Sequence, residues 1–309
     1  MADPDPFDRS HAPPIGRPEA LAPGLRVVTA PNPGPMTFTG TRSYILGAGR
    51  VAIIDPGPAE PRHVEALAAA LEPGETVAAI LVTHAHRDHS AGAAALGRRV
   101  GAPVLAHGDP VGARSPLMAR LAASGGLGGG EGIDAGFVPD RRLGGGETVG
   151  GPGWTLTALA TPGHLSDHLS FAWEEGEAVF TGDTVMGWAS PVISPPDGDV
   201  GAFRDSLARL RARGDRVYYP GHGGPVTEPA RLVDWLLAHR AEREAQILGA
   251  LGRGPATPDA LVAAVYAGID PALRPAAARN VLAHLIDLAE RGLVEAENGF
   301  GATARFGLR

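Results

Sequence analysis

The segment Thr83-His84-Ala85-His86-Arg87-Asp88-His89 constrains this chain more than any other part of its sequence. It holds four residues that can ligate a metal, and it follows the apolar run 78–82, which is typical of a strand buried on both faces. Alternate side chains of an extended chain project the same way, so His84 and His86 can reach one metal while Asp88 and His89 reach in from the turn. The segment therefore predicts a metal site at the end of a buried strand.

Three further residues that can bind metal follow three predicted strands, each after a tight turn that contains glycine. His164 follows the strand 154–159, Asp183 follows 178–181, and His222 follows 217–219. Because functional sites are normally built where strand ends converge on one sheet edge, we expect these side chains to meet the first segment there. The sequence thus predicts a site for two divalent metal ions, whose ligands are His84, His86, Asp88, His89, His164, Asp183 and His222.

The residue types that are missing limit the chemistry. The chain has no Cys, and all 27 of its basic residues are Arg. Disulfides, thiolate ligands, a Cys nucleophile and a Lys Schiff base are therefore excluded. The remaining nitrogen and oxygen donors suit zinc, and also iron or manganese.

Charge and hydropathy bear on the environment of the protein. The net charge of −7 disfavours broad binding to nucleic-acid phosphates. The N-terminus lacks the basic and apolar regions of a secretory signal, and no apolar run approaches the length of a membrane span. We expect a cytoplasmic protein with no membrane partner; the sequence does not indicate an oligomeric state.

The order of strand-like and helix-like segments predicts an α/β fold. Short strands come first and then alternate with helices in two halves, which fits a two-sheet sandwich with helices outside. We expect a flexible N-terminal arm over residues 1–24 and a hydrolase domain over 25–241. Three helices and a hairpin with an Asn298-Gly299 turn predict a winged-helix domain over 242–309.

The motifs together resemble the metallo-β-lactamase-fold hydrolases, and most closely the bacterial members of the β-lactamase-like-protein-2 group. The resemblance rests on the His-x-His-x-Asp-His segment, a His after Pro-Gly, Gly-Asp and Pro-Gly-His, and on the appended winged helix. It implies a four-layer αββα sandwich. It further implies one metal on His84, His86 and His164, a second on Asp88, His89 and His222, and Asp183 as the bridging ligand.

A hydroxide held between two such metals would attack a carbonyl or phosphorus centre. Asp88 could orient the hydroxide and move the proton to the leaving group. His168 is a second catalytic candidate, and the alternative for it is a structural hydrogen bond to the ligands. We expect Asp55 to accept a hydrogen bond from a ligand imidazole, the alternative being an ordinary turn residue.

Three functions remain open. The first is hydrolysis of a small ester, thioester or lactone, and the second is cleavage of single-stranded RNA. The third is a non-hydrolytic use of the metals, such as iron redox chemistry. The winged helix either binds nucleic acid or walls the cleft, and the eight Arg against eight acids from Arg240 onward favour the wall. The glycine-rich stretch 125–130 is either a mobile loop beside the site or, as we slightly favour, an insertion without function.

Overall fold

Two β-sheets form the centre of the computed structural model, which describes residues 5–297 and 299–309. In the first sheet, β1 to β7 lie side by side in chain order. Its strands are β1 (Pro18–Ala22), β2 (Leu25–Thr29), β3 (Arg42–Leu46), β4 (Arg50–Ile54), β5 (Thr76–Leu81), β6 (Val104–Ala106) and β7 (Arg141–Arg142). The second sheet has the order β12-β11-β10-β9-β8. Its strands are β8 (Thr148–Gly151), β9 (Trp154–Ala160), β10 (Leu169–Trp173), β11 (Ala178–Gly182) and β12 (Val217–Pro220).

The main hydrophobic core lies between these two sheets. Leu25, Tyr44 and Leu81 from the first sheet pack with Trp154 and Phe171 from the second, and all five are buried. Such a face-to-face arrangement keeps the inner side chains of both sheets away from water. The sandwich therefore fixes the positions of the strand ends that carry the predicted ligands.

Helices cover the outer faces of both sheets. The first seven along the chain are α1 (Pro61–Ala69), α2 (Arg87–Ser90), α3 (Ala93–Val100), α4 (Pro116–Ser124), α5 (Val200–Arg213), α6 (Pro229–Leu251) and α7 (Pro258–Val265). Helices α1 and α3 pack on the first sheet, while α5 and the start of α6 pack on the second. The predicted four-layer αββα sandwich is confirmed. In the described part of the chain, no helix combines the length and apolarity needed to cross a membrane.

The C-terminal part is the predicted winged helix. Helices α7 and α8 (Arg274–Glu290), with a 3₁₀ turn at Pro271–Leu273 between them, pack on the hairpin of β13 (Val294–Ala296) and β14 (Phe306–Leu308). Helix α6 packs in both domains, because Leu236 lies in the hydrophobic core beside the second sheet and Ile247 lies in the core of the winged helix. The domain boundary at 241/242 stays a prediction, and it falls in this interval. The predicted Asn298-Gly299 turn includes Asn298, which lies outside the described residues.

One sequence-based expectation needs correction, and another stays a prediction. The arm expected to be flexible over residues 1–24 contains strand β1, which pairs with the next strand, β2, through Pro18 and Val28. In the stretch 125–130, Leu127 is buried in the core of the winged helix together with Met118 and Leu121 of α4. The stretch therefore packs against a part of the chain distant in sequence, and whether it has a function stays untested.

Candidate metal centre

The seven predicted ligands converge where the two sheets meet. Asp88 and His89 lie on α2, directly after the loop that follows β5, while Asp183 and His222 follow β11 and β12. Three sets of side chains each bring their donor atoms within 4.8 Å of one another. The sets are His84, His86 and His164; His84, His89 and Asp183; and Asp88, His89 and His222.

The first set offers three imidazole nitrogens to one point. His86 Nδ1 lies 2.9 Å from His84 Nε2 and 3.1 Å from His164 Nε2. The ring of His164 is fixed from behind, because its Nδ1 lies 2.8 Å from the carbonyl oxygen of Val192. That carbonyl can only accept, so Nδ1 carries the proton and Nε2 keeps its lone pair for a cation.

We call Asp88, His89 and His222 the second set; it combines one carboxylate with two imidazoles. Asp88 Oδ2 lies 3.3 Å from His89 Nε2 and 3.2 Å from His222 Nε2. Asp183 lies between the two sets, since its Oδ1 is 3.6 Å from His89 Nε2 and its Oδ2 is 3.7 Å from His164 Nε2. This placement is what a bridging ligand requires.

Asp55 sets the protonation of one ligand in each set. Its Oδ2 lies 2.9 Å from His89 Nδ1 and accepts the hydroxyl hydrogen of Thr83 at 2.9 Å, and its Oδ1 accepts the Thr83 N–H at 2.7 Å. Because the Thr83 hydroxyl donates to Asp55, it accepts from His84 Nδ1, which lies 2.9 Å away. Both His84 and His89 are thus held with Nδ1 protonated and Nε2 available to a metal.

Asp88 is positioned by two residues to which the sequence analysis gave no role. Thr41 donates its hydroxyl to Asp88 Oδ2 at 3.2 Å, and Asn32 holds Thr41 through both its amide atoms. The side chain of Asp88 is 28% exposed, so it also faces the solvent side of the site. No local sequence signal links Asn32 and Thr41 to this aspartate, from which they are far apart in the chain.

His168 lies behind the ligands. Its ring stacks on that of His84 with centroids 4.9 Å apart, and its Nε2 accepts the backbone N–H of Asp183 at 3.2 Å. Its Nδ1 lies 2.9 Å from the hydroxyl of Thr161. Of the two roles expected for His168, the geometry supports the structural hydrogen bond, which fixes the backbone of the central aspartate.

The electrostatics of the two sets differ. Burial lowers the pKa of His86 to about 3, and the neighbouring His164 adds to the effect, so the first set is neutral. In the second set burial lowers the pKa of His222, but the carboxylates of Asp183 and Asp88 outweigh this effect and raise the pKa to about 9. In turn His89 and His222 hold the pKa of Asp88 and Asp183 well below the usual range, against the effect of burial. The carboxylates therefore attract positive charge into this site.

The donor set fits divalent metal ions. In the first set His84 Nε2 and His164 Nε2 keep their lone pairs and lie about 3 Å from His86 Nδ1, so a cation among the three nitrogens can bind all of them once His86 carries its proton on Nε2. Asp183 Oδ1 is buried and has no hydrogen-bond donor among the described residues, so it too is free to bind a cation. Histidine and carboxylate ligands suit zinc, iron and manganese.

A cleft of about 420 Å³ opens onto these ligands. Five of them line it, namely His86, Asp88, His164, Asp183 and His222. The cleft continues past Trp188, which stacks on Phe38 with ring centroids 5.0 Å apart, and reaches the winged helix. Its volume is typical of small-molecule sites, which range over roughly 300–1,000 Å³.

Comparison with protein families places two regions of the chain. Residues 36–222 match the model described as the metallo-beta-lactamase superfamily, and residues 257–302 match the beta-lactamase associated winged helix domain. Two fungal relatives are named atrochrysone carboxyl ACP thioesterase. That of Aspergillus chevalieri is 31% identical over 271 residues, which are 83% of this chain and 78% of the relative. That of Passalora fulva is 34% identical over 263 residues, covering 80% of this chain and 69% of the relative.

Solved structures share the whole architecture. A metallo-beta-lactamase family protein of Thermus thermophilus superposes with a TM-score of 0.74 at 29% identity, over 94% of this chain and all of that one. A beta-lactamase domain protein of Burkholderia ambifaria gives a TM-score of 0.80 at 22% identity, over 97% of this chain and 96% of that one. The second likeness concerns the fold alone.

Proposed function

Since the chain belongs to the metallo-beta-lactamase superfamily and is a metal-dependent hydrolase, we propose that it cleaves an acyl thioester at a centre of two divalent metal ions. Related small esters and lactones are chemically close substrates. The observation that carries the proposal is the largely apolar cleft that ends on the metal-binding side chains. The thioesterase names of the fungal relatives support the same substrate class.

The ligands divide between the ions as the geometry suggests. His84, His86 and His164 would hold the first ion; Asp88, His89 and His222 would hold the second, with Asp183 between them. Divalent ions bound there would lower the pKa of a water molecule to roughly 7 and polarise the substrate carbonyl. Zinc is the ion we expect, and iron and manganese are the alternatives that the same donors accept.

Asp88 is placed to handle the proton of the attacking water. Its Oδ2 is engaged by Thr41, His89 and His222, and its Oδ1 makes no hydrogen bond to the described residues. Oδ1 can therefore accept an O–H of water as the oxygen attacks the acyl carbon. When the carbon–sulfur bond breaks, the electron pair leaves on sulfur, and Asp88 can return the proton to it. A thiol has a pKa of about 8.5, far above that of an aspartic acid, so this transfer is favourable.

Helix α8 and the lining of the cleft disfavour RNA as the substrate. Every residue of α8 from Val281 to Leu288 is buried. Arg279 donates to the carbonyl oxygens of Leu127 and Pro195 within the chain. No Arg lines the cleft among the residues that the structure describes, so away from the metal-binding side chains a polyanion finds no cationic side chain there. The thioester is therefore favoured over single-stranded RNA.

Substrate cleavage by zinc-loaded protein tests the proposal. We expect thiol release from acyl thioesters of N-acetylcysteamine and no cleavage of a labelled single-stranded RNA. The variant His86→Ala should lose the activity, while His239→Ala, which removes a histidine stacked on Trp235 in α6, should keep it. Cleavage of RNA without thioester hydrolysis would refute the proposed substrate class.

A further inference from the structure

We propose that the winged-helix domain forms the acyl-binding wall of the cleft and selects substrates with large apolar acyl groups. The inference rests on the proposed thioesterase function and adds the part of the substrate that the metal centre does not contact. We use the name acyl wall for the residues of the winged helix that line the cleft: Tyr266, Ile269, Leu273, Ala276, Ala277 and Asn280.

The acyl wall belongs to the same cavity as the metal ligands. One continuous space of about 420 Å³ is lined by His164 and Asp183 and also by Leu273. A substrate whose carbonyl is held at the metals therefore has room for its acyl chain against α8. The small side chains of Ala276 and Ala277 leave the room that such a chain needs.

Exposed apolar side chains mark both sides of the opening. Met36 is 51% exposed on the hydrolase side and Leu273 is 37% exposed on the winged-helix side, and both line the cleft. Large apolar side chains that face each other across a cleft are typical of a site for an apolar ligand. Trp188 extends this apolar surface toward the metals.

The charged side chains that line the cleft lie outside the acyl wall. Apart from the histidine ligands, the charged groups that line it in the described structure are Asp88, Glu131 and Asp183. Glu131 accepts a hydrogen bond from Ser194 and lies 3.7 Å from Arg279 Nε, and none of the six side chains of the acyl wall is charged.

The acyl wall is held firmly against the hydrolase domain. Arg204 of α5 binds Asp287 of α8 through two hydrogen bonds of 2.9 Å each. Arg240 is 2% exposed and donates to the hydroxyl of Ser190 and to Asn280 of the acyl wall. Contacts of this kind fix the distance between the wall and the metals, which selection by acyl length requires.

Acyl-length dependence in three variants tests this inference. Leu273→Ser removes apolar surface from an exposed position that is not part of the core of the winged helix. Ala276→Phe fills the space beside α8. Leu308→Ser is the matched control, because Leu308 is an exposed leucine of the same domain, at 47%, that does not line the cleft. The substrates are the acetyl and octanoyl thioesters of N-acetylcysteamine.

We expect the wild-type enzyme to prefer the octanoyl thioester. Each of the two acyl-wall variants should lower kcat/KM for the octanoyl thioester by about tenfold, the scale of one lost apolar contact in a binding pocket. The acetyl thioester should change by less than about twofold, because it does not reach the wall. Leu308→Ser should behave like the wild type with both substrates.

The outcomes separate the two proposals. If the wild type hydrolyses both thioesters without preference, or if Leu273→Ser and Ala276→Phe leave the preference intact, the acyl wall is refuted and the thioesterase function stands. If both substrates lose activity equally in the two variants, the residues support the site as a whole and the selective role is refuted. If no thioester is hydrolysed by metal-loaded protein, the proposed function fails and this inference fails with it.

Discussion

Replacing Asp55 by Asn should weaken metal binding while leaving the fold intact. The carboxylate accepts three hydrogen bonds, from the Thr83 N–H, the Thr83 hydroxyl and His89 Nδ1, and Asn can accept through one oxygen only. If that oxygen keeps the backbone N–H, the new NH₂ group faces His89 and the Thr83 hydroxyl. It then donates to both, so His89 must carry its proton on Nε2, and the hydroxyl turns to donate to His84 Nδ1. Both histidines thereby lose the lone pair that a metal needs.

The expected magnitude follows from the role of Asp55 behind the ligands. Removing such a partner typically reduces metal affinity by about 10- to 100-fold, or about 1.4 to 2.7 kcal/mol. The backbone adds little to this loss, because Asp55 has a φ of +53°, a conformation that Asn tolerates well. The affinity is measured by competition with a chromophoric chelator, with the metal content checked by elemental analysis.

The control for this experiment is Asp140→Asn. Asp140 also accepts a backbone N–H, from Val104 at 2.7 Å, but it touches no ligand. We expect Asp140→Asn to bind metal as the wild type does. An Asp55→Asn variant whose metal affinity stays within about twofold of wild type would refute the argument from histidine tautomers.

Three further predictions concern the ligands and the buried core. Asp183→Ala should lose bound metal and thioester hydrolysis together, because this residue contacts both ligand sets, and retained activity would contradict its bridging role. Gly221→Ala should lower metal content, since an added Cβ would lie 2.5 Å from Asp183 Oδ1, whereas Gly249→Ala has open space and should bind metal normally; equal metal content in the two variants would refute this. Burial lowers the pKa of His284 to about 3, so the stability that this neutral ring contributes is complete above its unfolded pKa of about 6.5 and is lost as the pH falls toward 3. Between these values the wild type should lose up to about 1.4 kcal/mol per pH unit more than His284→Leu in urea unfolding, and parallel pH profiles would contradict the assignment.

The ligand positions could be predicted because each depends on local sequence. His164, Asp183 and His222 each follow a strand and a glycine turn, and strands of one sheet bring their ends to the same edge. The structure brings all seven expected ligands together, and Asp55 makes the contact with a ligand imidazole that we expected. The winged helix was predictable for a similar reason, since α7 begins with Thr257 as N-cap and Pro258 in its first turn.

Features that depend on distant contacts could not be read from the sequence. The burial of Leu127 requires the winged helix, which lies more than one hundred residues further along the chain. The direction of His168, behind the ligands, depends on Thr161 and on the backbone of Asp183. Helix α5 is a different case, because Asp199 as N-cap and Gly214 after the last turn are local signals that the sequence analysis overlooked.

The most direct test of the account is a titration of zinc into metal-free protein while thioester hydrolysis and bound metal are measured together. We predict that the metal-free protein is inactive and that the rate rises with bound zinc until about two ions are held per chain, as expected for a two-metal site. The variant His86→Ala should not reach this rate at any zinc concentration. Full thioesterase activity in the metal-free protein would contradict the central claim.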